Sequence, residues 1–211
     1  MKRRALLFFG LLTLAGAWLG PLPRLAQQAF SAHMTMHMAV VAVAAPLLAL
    51  AVAGTRLDPV RKWPAIFPPI PISVVELVVV WAFHAPALHH AARHGLAGLI
   101  LEQGAFLLCG LLVWLSAFGG DAERRRSFAG AGVTALLLTS MHMTLLGALL
   151  ALTPRPLYSH TGHLSSLAPL DDQHLGGAIM LTIGGVAYLA GGLWLTAGLV
   201  RMAAEKREVA A

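Results

Sequence analysis

Long apolar stretches recur along this chain, and short clusters of basic residues separate them. Six can be marked, over 5–22, 32–53, 66–84, 96–118, 128–152 and 175–200. A helix needs roughly 20 apolar residues to cross the ~30 Å hydrocarbon core of a bilayer, and each stretch reaches or approaches that length. The 211 residues are 58% hydrophobic and only 11% charged, too apolar for a water-soluble domain of this size. The expected fold is all-α: one integral-membrane domain over 1–211, a bundle of six transmembrane helices embedded in lipid. Pro and Gly inside the segments are tolerable, because neighbouring helices can satisfy freed backbone groups. The run Pro68–Pro71, PPIP, is the exception, and the third helix is expected to restart near Ile72 and run past Trp81.

Lys and Arg between the segments give the orientation. One side collects Lys2, Arg3, Arg4, Arg56, Arg61, Lys62, Arg124, Arg125, Arg126, Arg201, Lys206 and Arg207, twelve of the fifteen basic residues. The other side has Arg24, Arg93 and Arg155. Six spans with both termini cytoplasmic fit this division. The net charge of +6 does not point to nucleic acid, since no basic face with polar or aromatic interleaving exists. A second reading takes MKRR and the following ALLFFGLLTLAGAW as a secretory signal cleaved after AGA; five spans would then remain, with the same orientation. The single cysteine, Cys109, lies in an apolar run and reads as a small buried side chain.

On this topology all ten histidines fall in the outer half. His33 and His37 open the second segment and His84 closes the third. His89, His90 and His94 are expected in the next outer loop, and His160, His163 and His174 in the loop before the last segment. His89, His90, His160 and His163 read as solvated or interfacial. Met180 and Met202 read as packing filler. His37 and His142 lie within spans, where an ionisable side chain is a functional-site hypothesis.

The run His33–Met38, HMTMHM, is the densest in the chain. His33 and His37 are four residues apart and share a helix face with Met36, while Met34 and Met38 form a second such pair. Met141–Met143, MHM, repeats the chemistry on the fifth segment. Thioethers select Cu(I) and imidazole suits copper and other late metals, so the expected site is a thiolate-free Met/His copper site. Two carboxylates, Glu76 and Glu102, should face the bundle interior, where either could orient an imidazole or bond a neighbouring helix. Asp171, Asp172 and Gln173 precede the last segment, where an aspartate is expected to cap the helix.

Four stretches make the chain resemble the CtaG-type family of membrane-embedded cytochrome c oxidase assembly factors, which are associated with copper delivery. HMTMHMAVVAVAAPLLAL is similar to the family's His-Met-x-x-His opening, and WAFHAPALHHA to its Trp, His-x-Pro-x-Leu segment. SMHMTLLGALLALTPRPLY and DDQHLGGAIMLTIGGVAYL are similar to its fifth- and last-span motifs. The resemblance implies a role for His33, Met34, His37, His84, His142, Asp172 and Gln173. Family members often carry Leu-Glu-His where this chain has LEQG, so Gln103 stands in place of a histidine. Relatives usually have about seven spans, which makes this a short member.

The resulting expectation is a non-enzymatic assembly factor in the bacterial inner membrane. Copper, as Cu(I), would be taken from the periplasmic side, where a copper donor is a possible partner, and passed to the oxidase subunit bearing the haem-copper centre. The metal residues expected are His33, Met34, Met36, His37, His84 and His142, supported by Glu76, Glu102, Gln103, Asp172 and Gln173. Two alternatives stand beside this. One is a haem protein with His37 and His142 as axial ligands and Gly147, Gly176 and Gly177 making room for the porphyrin. The other is a metal or proton transporter using Glu76, Glu102 and His84, although no inverted repeat is visible.

Overall fold

A computed structural model of the chain describes residues 2–93, 95–158 and 167–210. Among the described residues every regular element is helical and no strand occurs. The longer helices are α1 (Lys2–Leu19), α2 (Phe30–Val52), α3 (Pro69–His84), α4 (Pro86–Arg93), α5 (Leu96–Phe118), α6 (Ala129–Leu152) and α7 (Pro169–Glu205). By length and apolarity α2, α5, α6 and α7 are each fit to cross a membrane, and α3 with α4, bent by 74°, makes a fifth candidate. The remaining expected segment, 5–22, corresponds to α1, 18 residues beginning Lys2-Arg3-Arg4.

The bundle is apolar outside and polar within. Phe8, Val78, Ile100, Leu101, Leu145 and Trp194 are exposed, while His33, His37, Glu76, His84, Glu102 and His142 are buried. An apolar exterior this continuous would aggregate in water and is what lipid tails solvate. The polar groups sit where other helices can partner them. α6 is central, lying along α7 and against α3 and α5, and α2 packs on α1, α5 and the first half of α7.

Proline sets three boundaries differently from the sequence expectation. Pro68 is extended, and Pro69 and Pro71 fall in the first turn of α3, where backbone N–H groups have no helical partner anyway. The helix therefore starts at Pro69 rather than near Ile72. Pro86 holds Ala85 in an extended conformation (ψ 129°) and then opens α4. The stretch expected as an outer loop is thus a helix folded across the end of the bundle. The last helix likewise begins at Pro169, so Asp171, Asp172 and Gln173 lie in its first turns rather than in a loop.

Two segments widen to i→i+5 hydrogen bonding, Ala39–Ala44 in α2 and Met180–Gly184 in α7, and they touch each other. In α2 the Ala45 N–H donates to Val40 O, one residue further back than in an α-helix. Pro46 follows directly and has no N–H to continue the regular ladder. Such π segments commonly accompany functional sites. Elsewhere α6 and α7 meet through glycine: a Cβ on Gly147 would lie 2.5 Å from Leu181 N, and one on Gly177 2.5 Å from Ala151 N. Backbone-to-backbone approach of this kind needs small residues. At the other end of α2, buried Asp58 accepts the N–H groups of Gly54 (2.7 Å), Val60 (2.9 Å) and Gly120 (2.7 Å), tying two loops together.

Candidate functional site

α2 begins without a cap of its own, since Ala29 is extended and has no side-chain acceptor to offer. Asp172 of α7 takes that place. Its Oδ2 accepts the Phe30 N–H at 2.6 Å, and its Oδ1 accepts the Ser31 N–H at 3.3 Å and the Ser31 hydroxyl. A carboxylate on a helix N-terminus satisfies orphan donors and favours the dipole. The aspartate expected to cap its own helix therefore caps a neighbour. Gln173 beside it accepts the Leu157 N–H (2.6 Å) and donates to Leu150 O (3.4 Å), and His174 Nε2 lies 2.9 Å from Thr153 O. Together these residues fix the N-terminal ends of α2 and α7 against the C-terminal end of α6.

Held in this way, α2 points His33 and His37 at imidazoles from α3 and α4. The His33 ring centroid is 4.7 Å from that of His89 and 6.4 Å from that of His84, and His37 is 5.2 Å from His84. Glu102 of α5 faces the same space, its Oε1 3.8 Å from His33 Nε2. That separation is too long for a hydrogen bond. It is short enough for both atoms to hold one ion at bonds of about 2.0–2.2 Å. His33, His89 and Glu102 each offer one ligand atom, all within 4.8 Å of one another, and all three residues are buried. Neither His33 Nε2 nor Glu102 Oε1 has a hydrogen-bond partner. Arg93, one turn beyond His89 on α4, holds its Nη1 3.2 Å from His89 Nε2.

On α6, His142 places Nε2 3.7 Å from Oε2 of Glu76. Glu76 is itself anchored, accepting the Thr139 hydroxyl and the Tyr188 hydroxyl at 2.8 Å each. Tyr188 also reaches Val41 O at 3.3 Å, inside the π segment of α2. His84 donates Nδ1–H to Val80 O at 2.6 Å, which fixes the tautomer and turns the Nε2 lone pair inward. That Nε2, both ring nitrogens of His37 and both of His142 are buried without hydrogen-bond partners. Phe106 closes the α5 side, with its ring centroid 4.0 Å from that of His37.

The thioethers are placed otherwise. Met34 packs on Gly176, and Met38 with Met143 on Gly184, filling the α2–α6–α7 seam. Met36 lines a separate apolar cavity of about 420 Å³ with Trp18, Leu99 and Gln103. Met141 is 67% exposed on the outer surface of the bundle. The space around the glycines considered for a porphyrin is also filled: Gly147 and Gly177 abut opposing backbone, and a Cβ on Gly176 would sit 2.5 Å from the Phe30 ring.

A family model described as cytochrome c oxidase caa3 assembly factor matches residues 1–202. The chain belongs to that family. No curated protein and no solved structure matches it. In this assembly factor Gln103 accepts from Trp18 Nε1 and donates to Glu102 Oε2, both at 3.4 Å. It braces Glu102 against α1. His94, His160 and His163 lie outside the described residues.

His89, expected to be solvated in a loop, is instead 2% exposed on a helix. The signal for it was present. Pro86 is a good helix-starting residue, and His89, Ala92 and Arg93 share one face at i, i+3 and i+4.

Proposed function

We propose that this assembly factor handles copper for the oxidase, receiving the ion at its outer end through His33, His89 and Glu102. The observation that carries the reading is the buried His33–Glu102 pair, separated by 3.8 Å with neither atom hydrogen-bonded and His89 alongside. A buried polar atom left without a partner costs about 1–3 kcal/mol. Three convergent ligand atoms in an apolar bundle are therefore hard to account for by packing alone. Imidazole nitrogen with carboxylate oxygen suits copper and other late divalent ions, and no thiolate competes to hold the ion irreversibly.

In this proposal the protein spans the bacterial inner membrane six times with both termini cytoplasmic, and the histidines face the periplasm. Copper is cargo rather than a resident cofactor, and no catalysis is involved. A periplasmic donor supplies the ion, and the oxidase subunit bearing the haem-copper centre receives it. The test is titration of purified full-length protein against a chromophoric chelator, with Cu(II) in air and with Cu(I) under anaerobic conditions. Binding is expected in the wild type and weakened at least about tenfold in His33→Ala/Glu102→Gln, a loss of ~1.4 kcal/mol or more. Equal affinity in the variant removes the assignment.

A further inference from the structure

We infer that the end of the bundle opposite His33 carries a binding site for the phosphate of an anionic phospholipid, built from Arg3, Arg61 and Arg125. The site is independent of the copper reading and uses none of its residues.

Its framework is a buried acid. Asp58 commits both carboxylate oxygens to the N–H groups of Gly54, Val60 and Gly120, which locks two turns together. Both turns use glycine in the left-handed region, with φ of 72° at Gly54 and 94° at Gly120. Each turn then holds an arginine. Arg125 donates Nη1 to Gly120 O at 2.6 Å, and Arg61 donates Nη1 to Thr55 O at 3.4 Å. Arg125 Nη1 also lies 2.9 Å from the point where a Cβ on Gly54 would stand, and Arg3 Nη2 of α1 lies 3.8 Å from that point. Three guanidinium groups from three parts of the chain thus gather at the 54–55 turn.

The protein supplies too little negative charge to balance them. Among the described residues the close pairs of basic and acidic side chains are His33–Glu102 and His142–Glu76, so none of these arginines is paired with a carboxylate. Asp58 is fully buried and offsets one positive charge from within. Asp121 caps the short helix Ala122–Ser127, accepting the Arg124 N–H at 2.8 Å, and the Arg124 side chain turns to Phe67 O and Ser116 O. Like charges held close repel, and a phosphate relieves this by accepting from more than one guanidinium.

The neighbouring side chains select a lipid as the source of that phosphate. Leu57 and Trp63 flank Arg61 in sequence and are exposed, and a free phosphate would gain nothing from either. At a bilayer surface the indole sits at headgroup level and the leucine meets acyl chains. Arginines clustered beside a membrane helix are suited to anionic lipid.

The experiment is thermal unfolding of the full-length protein in neutral detergent, titrated with phosphatidylglycerol, phosphatidylcholine or inorganic phosphate. Phosphatidylglycerol is expected to raise the midpoint, and the other two to leave it nearly unchanged. Arg3→Gln/Arg61→Gln, which leaves the Asp58 bonds intact, should weaken the apparent affinity for phosphatidylglycerol at least about fivefold. The charge-matched Arg24→Gln/Arg155→Gln, at the other end of the bundle, should respond as wild type does. An equal response to phosphatidylcholine, or an equal loss in both double variants, overturns the site. An equal response to inorganic phosphate overturns the lipid as its occupant. If the first double variant fails to fold, Arg3→Gln alone should weaken binding at least about twofold, and unchanged binding there overturns the site.

Discussion

Asp172 in the first turn of α7 accepts the N–H of Phe30, the first residue of α2, at 2.6 Å. The residue that opens one helix thus fixes the start of another, and with it the position of His33 one turn later. Asp172→Ala is expected to lower stability by ~1–2 kcal/mol, the range for losing a helix cap, and to weaken copper binding through misplacement of His33. Thermal unfolding in detergent and chelator competition measure the two effects. Lost stability with unchanged copper affinity would separate the cap from the site.

Arg93 holds Nη1 3.2 Å from His89 Nε2. A guanidinium only donates, so Nε2 must be the accepting nitrogen of the neutral ring and Nδ1 the protonated one. A metal ion at His89 needs a lone pair, so binding through either nitrogen displaces this contact. Arg93→Leu should therefore raise copper affinity, by about three- to tenfold if the contact is worth ~1 kcal/mol. Weaker binding in the variant would show that Arg93 supports the site rather than competing for it.

Gly147 and Gly177 let α6 and α7 meet backbone to backbone. Gly177→Ala would set its Cβ 2.5 Å from Ala151 N, and no flexible side chain is there to yield. The expected destabilisation is ~1–3 kcal/mol, the range for overpacking, read as a lower midpoint of thermal unfolding. A neutral effect would mean that the helices separate at little cost.

Tyr158 donates its hydroxyl to His84 O at 2.5 Å, and burial pushes its phenol well above the ordinary value. Tyr158→Phe should lose ~0.5–1.5 kcal/mol of stability at neutral pH. The wild-type advantage is full below the unfolded phenol's value near pH 10 and declines as the pH rises beyond it, because only the unfolded state ionises there. Unfolding midpoints of the two proteins across pH 7 to about 11 measure this. A gap that widens with alkalinity would contradict it.

Helix identity and the grouping of histidines were legible from apolar run length and spacing. Partners across the bundle were not. HMTMHM gave His33 and His37 a common face, but nothing local says that Met34 and Met38 turn toward the glycines of α7. That depends on which helix becomes the neighbour. His89 was hidden because a short polar stretch after His84 reads as a loop until Pro86 is taken as a helix start. Asp172 was legible as a cap, although the helix it caps lies more than a hundred residues away in the chain. Thr139 and Tyr188 meet at Glu76 only because α3, α6 and α7 converge there.

The most direct test of the account is X-ray absorption at the copper edge on the loaded full-length protein. The expected result is a shell of imidazole nitrogen with a carboxylate oxygen, at metal–ligand distances near 2.0 Å. A shell dominated by sulfur near 2.3 Å would contradict it, because the ion would then sit on Met34, Met36 or Met38.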